Sequence, residues 1–372
     1  MKWVFWIASA MVAYAYLGYA VWLRLRAWIR PWPVLRGPFL PSVSVVMVVR
    51  DEERMLGAKL ANLQSLDYPA ERLEFVVVSD GSTDGTAGIL QGFADQRLRF
   101  KLNSDARGKA AGLNDALTMA TGEIVAFTDA RQRIEAGALR LLVENFSDPA
   151  VGCVSGELML GDAKAKESGE GLGLYWQIEK KIRESESASG SVVGATGALY
   201  AARRNLIEAL PAGMILDDVW TPMNVVRSGA RVVFDNRARA WDQPNLGGVR
   251  EFRRKVRTLG GNYQLVQLAP WLLSRENPVR FEFVSHKLLR LLVPFALVAA
   301  WISSFFIPGA FYRAAFWAQT IFYGLSVLAL TDVRLGFLQR LADPAKTLVV
   351  LNAAAVVAFM NFAMRRKVAW SR

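Results

Sequence analysis

Of the 372 residues, one is cysteine, Cys153, and one is histidine, His286. A lone cysteine excludes an internal disulfide framework. With a single histidine beside it, there is no Cys/His zinc site and no Cys–His dyad. Any metal must then be held by oxygen ligands, which selects Mg2+ or Mn2+. Glycine-rich nucleotide motifs are also missing. No Gly-x-Gly-x-x-Gly follows the first strand-like run, and "DARGKAAG" (105–112) lacks the Walker spacing and its Ser/Thr. Acidic residues are fewer than basic ones, 33 against 45, for a net charge of +12.

Nucleic acid is one partner class that such a charge admits. However, the arginines cluster beside apolar stretches, at 24–36, 250–257 and 365–372. That placement favours an anionic membrane surface or a phosphorylated substrate over nucleic acid, and positive-inside bias accounts for part of the excess. Trp3 to Leu23 carries no charge and is long enough to cross a bilayer. It has no small-residue cleavage site and runs into Arg24, Arg26 and Arg30, the pattern of a retained anchor. Leu288–Pro308, Phe311–Leu330 and Thr347–Met364 are three further apolar stretches. The positive-inside rule puts the domain after the first span in the cytoplasm. Three more spans would leave the basic tail "MRRKVAWSR" outside, against the same rule.

Between the apolar ends, strand and helix signals alternate. Strands are expected at 42–49, 73–79, 98–102 and 123–129, and helices at 53–66, from Thr83 or Asp84, at 109–120 and at 135–146. This order argues for an α/β fold, a mostly parallel sheet with helices on both faces. Ligands of such sheets bind beyond the carboxyl ends of the strands. Those ends are acidic here: Asp51-Glu52, Asp80 and Asp129. Turn chemistry explains one such acid, but three at the same sheet edge favour a shared site.

The segments "VVRDEE" (48–53), "VVVSDGSTDGT" (76–86), "DARGKAAGLNDAL" (105–117) and "EIVAFTDA" (123–130) closely resemble family 2 glycosyltransferases of GT-A fold, over roughly residues 42–260. The resemblance extends to the membrane-bound, cellulose synthase-like members that make polysaccharides. It implies that Asp51 and Glu52 lie near the nucleotide and that Asp80 accepts the uracil imino proton. Ser79 departs from the usual first Asp of that block. Lys109 is implied near the nucleotide or its phosphates; a solvated lysine at a helix start is the other reading. The family's Asp-x-Asp metal motif stands here as Asp129-Ala130-Arg131, an anion replaced by a fixed cation. Asp129 would hold Mg2+ or Mn2+. Arg131 would repel the metal, take over part of its charge neutralisation, or point away.

In "ILDDVW" (215–220), Asp218 matches the family's general base and has Asp217 beside it; a helix N-cap is the alternative. "EFRRKVRTLGGNYQ" (251–264) resembles the basic segment of processive members, with Arg254 and Arg257 at the diphosphate or acceptor positions. Thr258 stands where those enzymes have Trp. The same segment reads equally as a basic amphipathic helix on the bilayer. Trp220 and Trp241 read as a sugar-stacking face or as core, and 161–192 as a mobile amphipathic region beside the acceptor.

The expected organisation is an anchor at 1–25, a basic linker at 26–41 and a cytoplasmic GT-A domain at 42–265. Within that domain, 42–135 is the nucleotide half and 136–265 the acceptor half. An interfacial segment at 266–287, transmembrane helices at 288–366 and a basic tail at 367–372 complete the chain. The expected function is sugar transfer from a nucleotide sugar, UDP-linked, to a lipid-linked or polysaccharide acceptor at the cytoplasmic membrane. A processive synthase and an inactive membrane scaffold are the alternatives.

Overall fold

A computed structural model describes residues 1–161, 170–243, 248–330 and 339–366. Helices α1 (Lys2–Ala13) and α2 (Tyr19–Ile29) are joined by a π turn at Tyr14–Gly18 into one continuous rod. The globular domain then runs β1 (Val43–Val49), α3 (Glu53–Gln64), β2 (Leu73–Asp80), α4 (Thr86–Gly92), β3 (Leu98–Asn103), α5 (Lys109–Met119), β4 (Ile124–Phe127), β5 (Arg133–Ile134) and α6 (Ala138–Glu144). It continues with β6 (Val151–Leu160), α7 (Glu170–Ser189), β7 (Tyr200–Arg203), α8 (Asp217–Arg227), β8 (Arg231–Asp242) and α9 (Gly248–Leu268). Helices α10 (Arg280–Phe283), α11 (Leu289–Phe306), α12 (Ala310–Leu328) and α13 (Gln339–Ala363) follow, with a second π turn at Val284–Leu288 between α10 and α11.

The strands form one sheet of order β3-β2-β1-β4-β7-β6-β8-β5. β1, apolar except for Ser44, is buried along its whole length and pairs in parallel with both β2 and β4. The expected parallel αβ half is therefore present. Beyond β4 the sheet is mixed, because β7 enters antiparallel to β4 and β6. That reversal leaves the C-terminal ends of β1, β2 and β4 at a topological break, the place where ligands of such sheets bind.

Three expectations shift. α4 begins at Thr86, not at Thr83 or Asp84; Asp84 instead accepts the N–H groups of Thr86 (3.0 Å) and Glu53 (3.1 Å), clamping two loops. Residues 177–189 of the segment expected to be mobile are helical in α7, with Ile182 packed on Tyr19 and Leu23 of α2. Residues 162–169 of that segment lie outside the described residues, as does the basic tail at 367–372. Finally, three helices among the described residues are long and apolar enough to cross a membrane: Lys2–Ile29, Arg280–Phe306 and Ala342–Ala363. The first of the two C-terminal ones starts well before Leu288.

Candidate active site

The site is assembled from the ends of β2 and β4 and the starts of α5 and α8. Asp80 closes β2 and is fully buried. Its Oδ1 accepts the Arg107 N–H and its Oδ2 the Gly108 N–H, each at 2.8 Å. Gly81, at φ 65°, permits this approach, since a Cβ there would sit 2.5 Å from the Ala106 nitrogen. Asp80 is thus engaged by two backbone N–H groups. With no exposed surface and both oxygens occupied, it fixes the 105–108 turn that launches Lys109. Asp51 is similarly engaged: it holds a positive φ of 52° and its Oδ1 accepts the Thr83 N–H at 2.7 Å.

Lys109, the first residue of α5, projects between two acids. Its Nζ lies 2.9 Å from Asp129 Oδ1 and 3.2 Å from Asp217 Oδ2. Burial opposes the charge on Lys109, but the Asp129 and Asp217 carboxylates outweigh it and hold its pKa above the usual lysine value. Burial likewise opposes ionisation of Asp129, and Lys109, Arg131 and Lys59 together overcome it and lower its pKa. Asp129 is still 39% exposed at its side chain, so it is open to solvent. Burial raises Glu52, supported by Asp129, Asp84 and Asp51 and opposed by Arg131.

Gly197 lies between the two candidate catalytic acids. A Cβ there would be 3.5 Å from Asp218 Oδ2 and 3.9 Å from Asp129 Oδ2, so both oxygens face one small space. The Gly197 N–H also donates to Asp218 Oδ2 at 3.2 Å, and the Ala195 N–H to the Asp218 carbonyl at 2.7 Å. Asp218 is pushed up to about 6 by burial and by neighbouring Asp217, against Lys109, Lys287 and Arg183. A carboxylate tuned to that range is suited to removing a proton near neutral pH. Asp217 and Asp218 open α8, whose N-cap position is Leu216.

Arg131 makes its hydrogen bonds to Asp242 while its charge still acts on Asp129 and Glu52. Its guanidinium forks onto Asp242 at the end of β8, at 2.9 to 3.1 Å, and Gln132 Nε2 adds a bond at 3.1 Å. Lys59 lies beneath this loop, 3% exposed, donating to Thr128 Oγ1 at 2.9 Å and to the Gln132 carbonyl at 2.6 Å. Neither Lys59 nor Asp242 was singled out in the sequence. A lysine within an otherwise amphipathic helix and an acid at a strand end carry no signal until the loop is folded over them.

Arg254 pairs with Glu251 at 2.8 Å, one turn back on α9, and Arg257 makes no ion pair among the described residues. Neither bonds to Asp129, Asp217 or Asp218. Trp220 is buried in the core, and Trp241 donates to Glu135 at 2.7 Å, so the core reading of Trp220 holds. Among the described residues no three His, Cys, Asp or Glu side chains converge on one metal position. Asp129 is the hard donor open to solvent at the site. A divalent ion fits there only when shared with phosphate oxygens of a substrate, the usual manner of Mg2+.

A parallel-led αβ sheet with paired acids at its topological break defines a GT-A domain. Residues 44–210, just under half of the chain, match the family described as glycosyl transferase family 2. Over 156 residues, 41% of this chain and 33% of the relative, it is 27% identical to a beta-monoglucosyldiacylglycerol synthase of Synechocystis sp.. Over 239 residues, 61% of this chain and 56% of the relative, it is 23% identical to a poly-beta-1,6-N-acetyl-D-glucosamine synthase of Staphylococcus aureus. The chain thus spans between a third and just over half the length of these relatives. A mannosyltransferase from Pyrobaculum calidifontis, solved with GDP-Man and Mn2+, superposes with a TM-score of 0.75 over 98% of this chain and all of that one, at 24% identity, and shares the fold.

Proposed function

We propose that this protein is a multi-pass enzyme of the cytoplasmic membrane that transfers a sugar, with inversion, from a nucleoside-diphosphate donor to a lipid-linked or polysaccharide acceptor. The observation that carries the reading is the pair of carboxylates facing each other across Gly197. Asp218, tuned to about 6, takes the proton as the acceptor hydroxyl attacks the anomeric carbon. Asp129 and Lys109 lie on the opposite, donor side. Lys109 offers a positive charge where the leaving diphosphate gathers negative charge. Glu52 borders the same side, and a UDP-sugar is the donor class that the sequence motifs support. A divalent ion bound between Asp129 and the diphosphate would supply further charge neutralisation; it is the Mg2+ or Mn2+ expected from the sequence.

Three candidate spans support the membrane arrangement. One N-terminal span and two C-terminal ones would put the GT-A domain and the basic C-terminal end on the same side, and the arginines beside the spans support the cytoplasmic one. The positive-inside rule is then obeyed at both ends, which a chain of four spans would violate. The domain boundaries proposed are an anchor through Ile29, a GT-A domain from Val43 to Leu268, and membrane helices from Arg280.

Purified full-length protein in detergent, offered a panel of UDP- and GDP-sugars with and without lipid acceptor, tests the reading by nucleotide release. Turnover of at least one donor, abolished in Asp218→Asn, is expected. No turnover of any donor, together with an unchanged cellular glycan in the Asp218→Asn strain, would overturn it. Long polymer from protein and donor alone would assign the processive alternative.

A further inference from the structure

The chain's one histidine lies outside the acidic site, where α2, α7 and the π turn before α11 meet. His286 belongs to that turn, Val284–Leu288, and is 2% exposed. Its Nδ1 lies 2.8 Å from Glu186 Oε1 and its Nε2 2.8 Å from Glu179 Oε1, both carboxylates being carried by α7. Each carboxylate has a further partner. Arg290 Nη1 donates to Glu179 Oε2 at 2.7 Å, and the Tyr19 hydroxyl of α2 donates to Glu186 Oε1 at 2.6 Å. Arg183 stands 3.7 Å from Glu179 Oε1, while Glu186 Oε2 is buried with no partner. Burial opposes ionisation of Glu179, and His286, Arg290 and Arg183 overcome it and hold its pKa well below the usual carboxylate value. Such a buried ionic cluster is a poor way to stabilise a fold, because apolar side chains of similar volume do as well without taking charge out of water. π turns inside α-helices are frequent at functional sites.

Lys287, the next residue, extends to the loop that borders the candidate base. Its Nζ lies 3.6 Å from the Cβ position of Gly194, and the Asp218 carbonyl lies 3.5 Å from the same point. Lys287 makes no hydrogen bond or ion pair among the described residues, and the charges that act on it are Arg183, Glu179, Asp218 and Glu186. Those that act on Asp218 are Asp217, Lys109, Lys287 and Arg183. The Lys287 ammonium is therefore shared between the two carboxylates of α7 and the base on α8, and His286 bonds to both of the former. Without the imidazole, Glu179 keeps Arg290 and Glu186 keeps Tyr19, but each loses a bond. The uncommitted cation beside them in the chain is Lys287.

We infer that His286 is a positioning residue of the transfer reaction: by holding Glu179 and Glu186 it leaves the Lys287 ammonium to Asp218. It acts on the reaction through Lys287 and not on donor or acceptor directly. The inference rests on the reading of Asp218 as the base and deepens it, since it says what keeps a cation beside that base.

The test measures nucleotide release by full-length protein in phosphatidylcholine nanodiscs, across pH 5 to 9, with the UDP- or GDP-sugar that the donor panel turns over. His286→Leu should move the acid limb of kcat/KM upward by about 0.5–1 pH unit, the scale of one neighbouring charge partly screened by water. In the Lys287→Met background the same substitution should move the limb no further. Neutralising the carboxylates as well, in Glu179→Gln/His286→Leu/Glu186→Gln, removes what draws Lys287 away, and the limb should return to its wild-type position. A limb unmoved by His286→Leu while the melting temperature falls gives His286 a structural role alone and overturns the inference. A shift that persists in full in the Lys287→Met background also overturns it, because the imidazole would then act on Asp218 without Lys287. Where His286→Leu does not fold, His286→Gln decides: its amide can bond one carboxylate only, so part of the upward shift is expected, and an unmoved limb counts against the inference. Wild-type protein that turns over no donor defeats the enzyme reading itself, whereas an active wild type with an unmoved limb in the variants defeats this inference alone.

Discussion

Lys109 Nζ lies 2.9 Å from Asp129 Oδ1, and the same ammonium reaches Asp217 Oδ2 at 3.2 Å. One cation thus ties the end of β4 to the start of α8, and with it the donor-side acid to the helix that carries the base. Lys109→Met leaves two carboxylates confined without their shared cation. A fall in kcat of about 10^2–10^3 is expected, the scale of losing one preorganised donor at a reacting centre. The variant should also move the acid limb of the pH profile upward, because Lys109 is one of the charges that lower Asp218. Steady-state nucleotide release across pH 5 to 9 checks both effects.

The pH dependence of the wild type follows from Asp218 itself. A general base acts only when ionised, and burial with Asp217 places its pKa at about 6. kcat/KM should therefore be level above that value and fall about tenfold per pH unit below it. Asp218→Asn should abolish this limb and lower kcat by about 10^2–10^4, with donor affinity kept. Lys287→Met removes a second charge that favours the ionised form, so its limb should shift to higher pH. An unshifted limb would mean that Lys287 does not act on the base.

Arg131 is bound to Asp242 by a forked pair, and Asp242 is 3% exposed. Removing one partner of a fully buried pair costs about 3–5 kcal/mol. Arg131 is itself 39% exposed at its side chain, and Gln132 still donates to Asp242, so about 1–3 kcal/mol is the expected loss for Arg131→Met. Thermal melting in detergent reads this directly. Arg131→Met together with Asp242→Leu should recover part of the loss, because no buried charge is then left alone.

The acids and strands of the nucleotide half were legible because local pattern and motif agree there. β1, β2 and β4 are apolar runs ending in Asp51, Asp80 and Asp129, and the structure draws those ends toward one edge. The sequence did not reveal which of these acids are spent on the protein's own backbone. Asp80 carries the family motif yet bonds Arg107 and Gly108, a pairing that depends on how the 105–108 turn folds. The fate of Arg131 was equally hidden, because its partner Asp242 lies far along the chain and meets it only when β8 joins the sheet. Sequence pattern reports faces and ends, whereas partner choice is decided by tertiary approach.

Lys59 makes the floor of the 128–132 loop testable. Burial pulls its pKa down from 10.5 to about 7, although Asp129 pulls it up, and its amine is held by Thr128 Oγ1 and the Gln132 carbonyl. The unfolded chain would bind this proton up to about pH 10.4. Between about 7 and 10.4 the unfolded state therefore carries a proton that the folded state lacks, and this group makes stability rise with pH by about 1.4 kcal/mol per unit. Below about 7 both states are protonated and the contribution is flat. Lys59→Met cannot titrate, so the rise disappears, and the variant's melting temperature relative to wild type should be highest at pH 7 and decline steadily toward pH 10. Its activity should drop at every pH, because Thr128 and Gln132 lose the donor that holds Asp129 in place. A melting difference that stays constant from pH 7 to 10 would show that Lys59 keeps its ordinary pKa and that the loop is held in some other way.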